Sequence, residues 1–398
     1  MRILMISDVY FPRINGVSTS TQIFREELQR AGHKVTLIAP NYPGCSAEDD
    51  IIRITSRQVL FDPEDRMMKQ REVMALLPML RNEKFDLIHI QTPFVAHRLG
   101  IRLAAALNLP SIETYHTFFE EYLFHYVPFV PKRWMRKLAR YFTRRQCNAV
   151  NSVIVPSSAM FDVLERYGVT TRMKIIPTGL ELGQFSDCDG AAFRRRYHIA
   201  GSRPTLVYIG RIAHEKNIDF LLRMLVLLRR QIPDILLILA GEGPALSHLK
   251  KLVTRLELND SVLFVGYLSR EDALLDCYCA GDAFIFASRT ETQGLVLLEA
   301  MALGIPVVST AVMGTKDILQ PRRGALVAQE NTQQFSDTLQ QLLSNEVLRK
   351  RLGKEARDYV KEWSAATMAN RLIEYYQQLI DTHRPAYTTR ATSNASDS

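Results

Sequence analysis

Short apolar runs alternate with amphipathic stretches along the chain, and this alternation limits the folds that the chain can adopt. RILMIS (2–7), KVTLIA (34–39) and FDLIHI (85–90) have the composition of buried strands, and stretches with helical periodicity lie between them. Apolar runs that are connected by helices are typical of a parallel sheet covered on both faces. The first half of the chain is therefore predicted to form a doubly wound α/β unit.

The same alternation starts again at PTLVYIG (204–210) and continues to the strand PVVS (306–309). Two such series predict two Rossmann-like domains, which suits a length of 398 residues. The polar segment 183–203 lies between the two series. We therefore predict a first domain at residues 1–190 and a second domain at residues 191–362.

The composition argues against a membrane-spanning protein, because no stretch approaches the ~18 to 20 consecutive apolar residues of a transmembrane helix. The N-terminus has one basic residue before a short strand-like run and does not match a secretory signal peptide. Five scattered cysteines form no zinc-binding pattern, and we interpret them as buried free thiols. These features predict a cytoplasmic protein. Residues 384–398, which contain the small polar stretch ATSNASDS, are predicted to be a disordered tail.

The segment ETQGLVLLEAMALGIPVV (291–308) places two glutamates around a glycine and before a buried strand. Gly294 stands where a strand ends and a helix begins, and a helix N-terminus offers free N–H groups and a positive dipole end to a phosphate. Glu291 lies just before this helix and Glu299 lies more than one turn inside it. Carboxylates readily accept hydrogen bonds from sugar hydroxyls. Either glutamate alone would be unremarkable as a solvated residue, but the combined spacing predicts a segment that binds phosphate and sugar.

Two cations follow a strand in the segment GRIAHEKN (210–217). In open parallel sheets, ligands bind at the carboxyl ends of the strands. Arg211 and Lys216 would meet an anionic leaving group there. Such a pair is common in loops, but together with the 291–308 segment it predicts a diphosphate site.

At this point the sequence resembles family 4 retaining glycosyltransferases of the GT-B fold, over nearly the whole chain. The resemblance implies two facing doubly wound Rossmann-like domains, with a C-terminal helix, residues 363–383, that crosses back to the first domain. It also implies a hexosyltransferase that requires no metal and no cofactor besides its nucleotide-sugar donor. The segments that carry the resemblance are FPRINGVSTS (11–20), TYHT (114–117), IPTGLELGQF (176–185), GRIAHEKN (210–217), AGEGP (240–244), FVGYL (264–268), ETQGLVLLEAMALGIPVV (291–308) and WSAATMANRLIEYYQQLI (363–380).

The resemblance assigns roles to individual residues. It implies that Arg211 and Lys216 bind the diphosphate, that Glu291 contacts the donor sugar, and that His116 reaches the same sugar from the first domain. These four are the predicted catalytic residues. The predicted donor-binding residues are Glu299 at the ribose, Gly266 near the base, and Gly16, Gly294 and Leu295 along the sugar and phosphates.

Two segments depart from the family pattern. The first loop has Asn15-Gly16 where the family usually has a glycine pair. After the PVV strand, the sequence MGTKDIL (313–319) replaces a frequent second glycine pair and glutamate. The departures concern contacts to the donor sugar and leave the predicted fold unchanged.

Other kinds of site fit this sequence less well. A hydrolytic glycosidase uses two facing carboxylates, whereas Glu291 and Glu299 come from one strand-to-helix segment. Asp187-Cys188-Asp189 has the D-x-D form that another glycosyltransferase fold uses for manganese, but it lies in the segment between the domains, and we interpret it as a loop. AGEGPAL lacks the third glycine of a dinucleotide-binding turn. We therefore predict no metal site.

Residues 132–145, KRWMRKLARYFTRR, contain seven basic residues and no acidic one, in a chain of net charge +8. Trp134, Leu138, Tyr141 and Phe142 recur among them at helical spacing. Such a helix could lie on an anionic membrane surface, or it could bury its apolar side chains in the domain core. We favour the membrane and see no nucleic-acid-binding motif. The predicted membrane contacts are Lys132, Arg133, Trp134, Arg136, Lys137 and Arg140.

The acceptor is suggested by TYHTFFEEYLFHYVP (114–128), which is most similar to glycosyltransferases that glucosylate diacylglycerol. The resemblance implies transfer of a hexose, with glucose favoured, from UDP-glucose to a membrane lipid such as diacylglycerol, at the cytoplasmic face of the inner membrane. FPRINGVSTS also resembles mannosyltransferases of glycolipid synthesis, so a GDP-mannose-dependent enzyme of glycolipid or polysaccharide synthesis is the alternative. A catalytically silent nucleotide-sugar-binding scaffold is a second alternative, which the complete set of predicted site residues opposes.

Overall fold

The computed structural model describes residues 1–43, 45, 48–59, 62–116, 132–269 and 273–383. Within them, two parallel sheets follow one another along the chain, and strands alternate with helices in each half. The predicted tail, 384–398, and residues 117–128 of the aromatic segment lie outside the described residues.

The first half contains a seven-stranded sheet in the order β3-β2-β1-β6-β7-β8-β9, with parallel pairing throughout, and a separate antiparallel hairpin of β4 and β5. The central strands β6, β7 and β8 are buried along their whole length, as expected for a sheet with helices on both faces. The elements are β1 (Arg2–Ile6), α1 (Gly16–Arg30), β2 (Lys34–Pro40), β3 (Ile51–Ile54), β4 (Ser56–Val59), β5 (Asp62–Met68), α2 (Gln70–Ala75), α3 (Leu77–Asn82), β6 (Leu87–Ile90), α4 (Val95–Leu107), β7 (Ser111–Thr114), α5 (Lys132–Cys147), β8 (Ser152–Val155), α6 (Ser158–Arg166) and β9 (Arg172–Ile175).

The second half contains a six-stranded parallel sheet in the order β12-β11-β10-β13-β14-β15. Short 3-10 helices cover Leu182–Phe185, His214–Lys216 and Lys361–Trp363. The other elements are α7 (Gly190–Arg196), β10 (Thr205–Ile209), α8 (Ile218–Gln231), β11 (Leu236–Ala240), α9 (Leu246–Arg255), β12 (Val262–Gly266), α10 (Leu274–Cys279), β13 (Ala283–Phe286), α11 (Leu295–Ala302), β14 (Val307–Ser309), α12 (Thr315–Leu319), β15 (Ala325–Val327), α13 (Thr332–Leu343), α14 (Glu346–Val360) and α15 (Ala365–His383).

Several helices begin where a short polar side chain can accept the first free backbone N–H groups. Ser157 caps α6, Asn331 caps α13 and Asn345 caps α14, each through its side-chain oxygen. Such caps satisfy donors that the helix itself leaves unpaired. The local sequence therefore determines where these helices start.

Each sheet reverses its strand order at one point, between β1 and β6 in the first sheet and between β10 and β13 in the second. Loops that leave the strands on either side of such a point diverge, so a crevice opens at the carboxyl ends. In the second sheet, the loop after β10 contains Arg211 and Lys216, and the loop after β13 contains Glu291. The strand order therefore places these predicted residues on opposite sides of one crevice.

The chain passes between the two halves twice, and the two passages are hydrogen-bonded to each other. The N–H of Leu180 donates to the carbonyl oxygen of Trp363 at 2.9 Å, and the N–H of Ala365 donates to that of Leu180 at 2.9 Å. Helix α15 then packs on the first half, where the Tyr376 hydroxyl lies 2.5 Å from Nδ1 of the buried His89. The predicted GT-B arrangement with a returning helix is confirmed.

One prediction about the cysteines was wrong. Cys188 and Cys279, 91 positions apart, form a disulfide bond, although the sequence predicted free thiols. The reason is tertiary: α7 lies against α10, and a Cβ on Gly190 would stand 2.1 Å from the carbonyl oxygen of Cys279. The thiols of Cys147 and Cys277 are free and buried, as predicted, whereas that of Cys45 is free and partly exposed.

Candidate active site

The loop of residues 210–217 leaves strand β10 and contains two of the predicted catalytic cations. The exposed Arg211 guanidinium lies 3.9 Å from the carboxylate of Glu215. Lys216 extends its ammonium to Oε1 of Glu291, at 2.5 Å, and both side chains are largely shielded from solvent. An ion pair therefore joins the loops after β10 and β13 across the strand reversal.

Backbone hydrogen bonds join the 210–217 loop to the loop of residues 240–245. The N–H of Ile212 donates to the carbonyl oxygen of Glu242 at 2.8 Å, and the carbonyl oxygen of Ile212 accepts from the N–H of Ala245 at 3.0 Å. A Cβ on Gly243 would stand 2.3 Å from the carbonyl oxygen of Ile212. The glycines of AGEGP therefore allow one backbone to approach the other, which explains this motif without a dinucleotide.

Gly294 is the N-cap residue that precedes helix α11; it adopts a left-handed conformation with φ +100° and offers no side-chain cap to the helix. That region favours glycine, and a Cβ there would also stand 3.0 Å from the side chain of Thr315. Uncapped N–H groups at a helix N-terminus suit an anion. Leu295 is the first residue of the helix.

Glu299 is 5% exposed on α11 and accepts a hydrogen bond from the Tyr278 hydroxyl at 2.8 Å. A buried carboxylate is costly unless hydrogen bonds stabilise it, so Tyr278 contributes to keeping this glutamate in place. Tyr278 comes from α10, which lies next to strand β10. Glu299 is therefore a buried, oriented acceptor rather than a solvated surface residue.

In the first half, helix α1 begins at Gly16, one of the predicted donor-binding residues. The Asn15 side chain accepts from the N–H groups of Val17 and Ser18, and the Ser18 hydroxyl accepts from the N–H of Asn15. This capping box occupies donors that a glycine pair would leave free. Among the residues that the structure describes, no atom lies within 4 Å of a Cβ placed on Gly16.

His116 follows strand β7 and lies 3.2 Å, through Nε2, from the amide oxygen of Gln91. Gln91 follows the neighbouring strand β6 and is 2% exposed, and its amide nitrogen has no partner within the described residues. Burial lowers the pKa of His116 to about 4. The imidazole is therefore neutral at pH 7 and can donate one hydrogen bond and accept another.

Several hydrogen bonds join the first half of the chain to residues 291–317 of the second half. The Gln293 amide exchanges two hydrogen bonds with the backbone of Thr178, at 2.7 and 2.8 Å. The Ser157 hydroxyl donates to the carbonyl oxygen of Thr292 at 2.7 Å, and the N–H of Ser158 donates to Asp317 at 2.7 Å. The 291–317 segment of the second half therefore lies against the first half.

Comparison with known proteins identifies the family. Residues 14–184 match the family described as Glycosyltransferase Family 4, and residues 190–359 match Glycosyl transferases group 1. The alpha-monoglucosyldiacylglycerol synthase of Streptococcus pneumoniae is 35% identical over 318 residues, which cover 78% of this chain and 71% of the relative. The chain belongs to glycosyltransferase family 4. It is a hexosyltransferase, as the sequence predicted.

Other relatives of this glycosyltransferase cover the chain at lower identity. The alpha-monoglucosyldiacylglycerol synthase of Acholeplasma laidlawii is 30% identical over 322 residues, 77% of this chain and 80% of its own. The GDP-mannose-dependent alpha-mannosyltransferase of Mycolicibacterium smegmatis is 25% identical over 391 residues, 96% of this chain and 98% of its own. Among solved structures, the sucrose-phosphate synthase of Thermosynechococcus elongatus superposes with a TM-score of 0.75 at 23% identity, covering 96% of this chain and 99% of that one. That superposition shows the shared GT-B fold.

The structure brings some of the predicted residues of this glycosyltransferase into contact and leaves others apart. Lys216 and Glu291 touch, and Glu299 lies on the helix that follows Glu291. Gly266 ends strand β12 with φ +77°, and its carbonyl oxygen accepts from the N–H of Gly241 at 2.7 Å. The described contacts do not join His116 to the cations of the second half. The roles of all these residues stay predictions.

Several residues that hold the candidate site together were not predicted from the sequence. Gln293 lies inside the quoted ETQG motif and could have been suspected from its place between Glu291 and Gly294. Tyr278 and Gln91 gave no local signal, because each belongs to a different element from the residue it contacts. Asp317 was noted only as a departure from the family pattern, yet it bonds the first half.

Helix α5 presents two different apolar faces. Met135, Ala139 and Cys147 are buried at helical spacing, whereas Trp134 and Tyr141 are 70% and 58% exposed. The stripe quoted in the sequence analysis is therefore on the solvent side, together with Arg133, Arg136, Lys137 and Arg140. The Lys132 side chain lies outside the described residues. Among the helices that the structure describes, none is long and apolar enough to span a bilayer.

Proposed function

We propose that this glycosyltransferase moves a hexose, with glucose favoured, from a nucleoside-diphosphate sugar to a membrane lipid such as diacylglycerol. The observation that carries the proposal is made at the strand reversal of the second sheet. There, Lys216 and Glu291 form an ion pair, and the N-terminus of α11 that follows Glu291 has no side-chain cap. The names of the two relatives that are at least 30% identical favour glucose and diacylglycerol. UDP-glucose is therefore the favoured donor and GDP-mannose the next, since a GDP-mannose-dependent relative covers 96% of the chain.

The reaction breaks the bond between sugar C1 and the diphosphate oxygen and forms a bond from C1 to the acceptor oxygen, and the acceptor hydroxyl's proton passes to the departing diphosphate. Negative charge grows on the departing diphosphate while the sugar acquires oxocarbenium character. Arg211, Lys216 and the N-terminus of α11 would stabilise that charge, because fixed donors act most strongly where charge develops. Membership of the family implies retention at C1 and no catalytic metal.

The remaining residues would hold the donor. Glu299 would accept hydrogen bonds from the ribose, and Glu291 would accept from the transferred sugar while it holds Lys216. Neutral His116, held by Gln91, would hydrogen-bond the sugar from the first half. Gly16, Gly266, Gly294 and Leu295 would leave room for the donor to lie along the backbone.

The membrane part of the proposal rests on helix α5. Its exposed aromatic rings and cations suit the headgroup region of an anionic bilayer. The alternative, in which the apolar stripe is buried in the core, is opposed by the 70% exposure of Trp134. We propose peripheral attachment at the cytoplasmic face of the inner membrane.

A donor and acceptor panel tests the proposal. The purified chain is incubated with labelled UDP-glucose, UDP-galactose or GDP-mannose and with mixed micelles of diacylglycerol or phosphatidylinositol, and label is counted in the organic extract. Glucolipid from UDP-glucose and diacylglycerol is expected, and a chelator should not abolish transfer, because the groups that stabilise the charge are protein groups. Mannolipid from GDP-mannose would instead establish the alternative. Donor binding without transfer or hydrolysis across the panel would favour a silent scaffold.

A further inference from the structure

A cluster of two histidines and one aspartate lies beside the 210–217 loop and has no part in the proposed reaction. His214 begins the 3-10 helix that ends at Lys216, Asp219 is in the first turn of α8, and His248 is in the first turn of α9. One ligand atom from each of them lies within 4.8 Å of the other two. The cluster therefore joins three elements at the carboxyl end of the second sheet.

The side chains of the cluster already contact one another through an imidazole nitrogen, a carboxylate oxygen and the two rings. Nε2 of His248 lies 2.7 Å from Oδ2 of Asp219, and the rings of His214 and His248 have centroids 5.4 Å apart. Zinc–nitrogen bonds of 2.0 to 2.1 Å place two ligands of one tetrahedral ion about 3.4 Å apart. Rotations of the two exposed imidazoles that move their ligand nitrogens by about an ångström would bring the ligand atoms close to this spacing.

The elements that carry the ligands are fixed to each other by backbone contacts. The same Ile212 backbone that hydrogen-bonds Glu242 and Ala245 ties the loop of His214 to the start of the helix of His248. A metal ion would therefore meet ligands that are largely in place, which reduces the entropy lost on binding. Imidazole suits zinc, cobalt, nickel and copper, whereas magnesium prefers oxygen ligands.

We propose that His214, Asp219 and His248 bind one divalent transition-metal ion of the zinc class, and that this ion links the 210–217 loop to helix α9. Three protein ligands leave one position of a tetrahedral ion to water. The ion would act on the mobility of the loop and would have no contact with the reacting atoms. Because binding is measured without a sugar donor, the proposal stands or fails separately from the proposed reaction.

The first test is direct metal binding by the untagged, metal-free chain. Equilibrium dialysis against zinc, with the bound metal counted by mass spectrometry, should give one ion per chain, and magnesium should not replace it. Cobalt should bind in the same place with the visible absorption of a four-coordinate ion. The absence of bound zinc, or a cobalt spectrum of six-coordinate water, would overturn the proposal without the use of any variant.

The second test uses His248→Gln and His214→Gln, with His383→Gln as the matched control. His383 is an exposed histidine at the end of α15. Loss of a mere hydrogen-bond partner of a metal ligand typically weakens binding about 10- to 100-fold, so loss of a ligand should weaken it at least as much. His383→Gln should bind like the wild type. Equal zinc binding by all three variants would contradict the site.

The loop linkage has its own measurement. Zinc should slow amide hydrogen exchange in residues 210–219 and 246–250 of the wild type and of His383→Gln. The same addition should leave exchange in His248→Gln unchanged. Zinc binding that protects other segments, and not these, would overturn the proposed link.

Discussion

The ammonium nitrogen of Lys216 lies 2.5 Å from Oε1 of Glu291, so the two loops on either side of the second strand reversal are joined by an ion pair. A lysine ammonium has three donors. Lys216 can therefore keep Glu291 and still donate to a diphosphate. The pair fixes the predicted leaving-group cation and the predicted sugar-binding carboxylate relative to each other.

Removal of either cation should abolish most transfer. For Lys216→Ala and Arg211→Ala we expect the transfer rate to fall on the order of 10²- to 10³-fold, the usual cost of one donor that stabilises developing charge. Steady-state assays with the preferred donor measure this. Lys350→Ala, which removes the lysine of an exposed ion pair with Glu346, is the control and should keep wild-type rates. Near-normal turnover of a folded Lys216→Ala protein would refute the assignment.

Glu299 should act on donor binding more than on the chemical step. A ribose contact exists in both ground and transition states, so Glu299→Ala should raise the donor KM more than it lowers kcat. Tyr278→Phe should shift KM in the same direction by less, because it removes one hydrogen bond of a charged acceptor, worth about 1.5 to 3 kcal/mol.

Tyr375→Phe is the control for Tyr278→Phe. It removes a buried hydroxyl that lies 2.5 Å from the Ser152 hydroxyl in the first half. It should lower stability and leave the donor KM unchanged. A fall in kcat with constant KM for Glu299→Ala would show that Glu299 acts on the reacting sugar.

The membrane proposal predicts a charge-dependent loss of lipid binding. Each cation near an anionic surface contributes about 1 kcal/mol, so Arg136, Lys137 and Arg140 changed together to glutamine should weaken partitioning by more than about a hundredfold. Co-sedimentation with anionic and neutral vesicles measures it, and high salt should mimic the variant. Nucleotide-sugar binding should persist.

A second triple variant controls for the loss of three charges. Lys350, Arg351 and Lys354 are exposed on α14 of the second half, and their change to glutamine gives the same net charge as the first variant. This control should bind anionic vesicles like the wild type. Equal weakening by both triple variants would show that net charge, and not helix α5, attracts the membrane.

Acidification should destabilise the fold through His89 and His116. Burial lowers the pKa of His89 to about 3 and that of His116 to about 4, from an ordinary 6.5. Between pH 6.5 and these values the unfolded chain binds protons that the folded chain does not, so stability falls as pH falls through this window. Urea titrations at several pH values measure the slope. A His89→Gln variant should show a shallower pH dependence, and an unchanged slope would contradict the role of His89.

The disulfide predicts a specific peptide map. Digestion without reductant should release a peptide pair linked through Cys188 and Cys279, whereas buried Cys277 should remain a thiol. The proposed cytoplasmic location implies reduced thiols in the cell, so the bond should form on exposure to an oxidant. Complete alkylation of Cys188 and Cys279 in oxidised protein would contradict the bond.

Much of the site's location could be predicted from the sequence. Apolar strands followed by GRIAHEKN and ETQG placed Arg211, Lys216, Glu291 and Gly294 at strand ends, because the polypeptide must leave a buried strand at its carboxyl end before a helix begins. Local caps such as Ser157 likewise fixed helix starts through neighbouring residues. These are short-range effects that depend on residues close together in the sequence.

Only the tertiary structure decided the contacts between elements that are distant in sequence. The strand order put the loops after β10 and β13 side by side and so made the Lys216–Glu291 pair. The packing of α7 on α10 brought Cys188 to Cys279, and the burial of Met135 rather than Trp134 set which face of α5 meets solvent. Periodicity shows that a helix has an apolar face. Which of two apolar faces is buried depends on the surface against which the helix packs, and that surface comes from other parts of the chain.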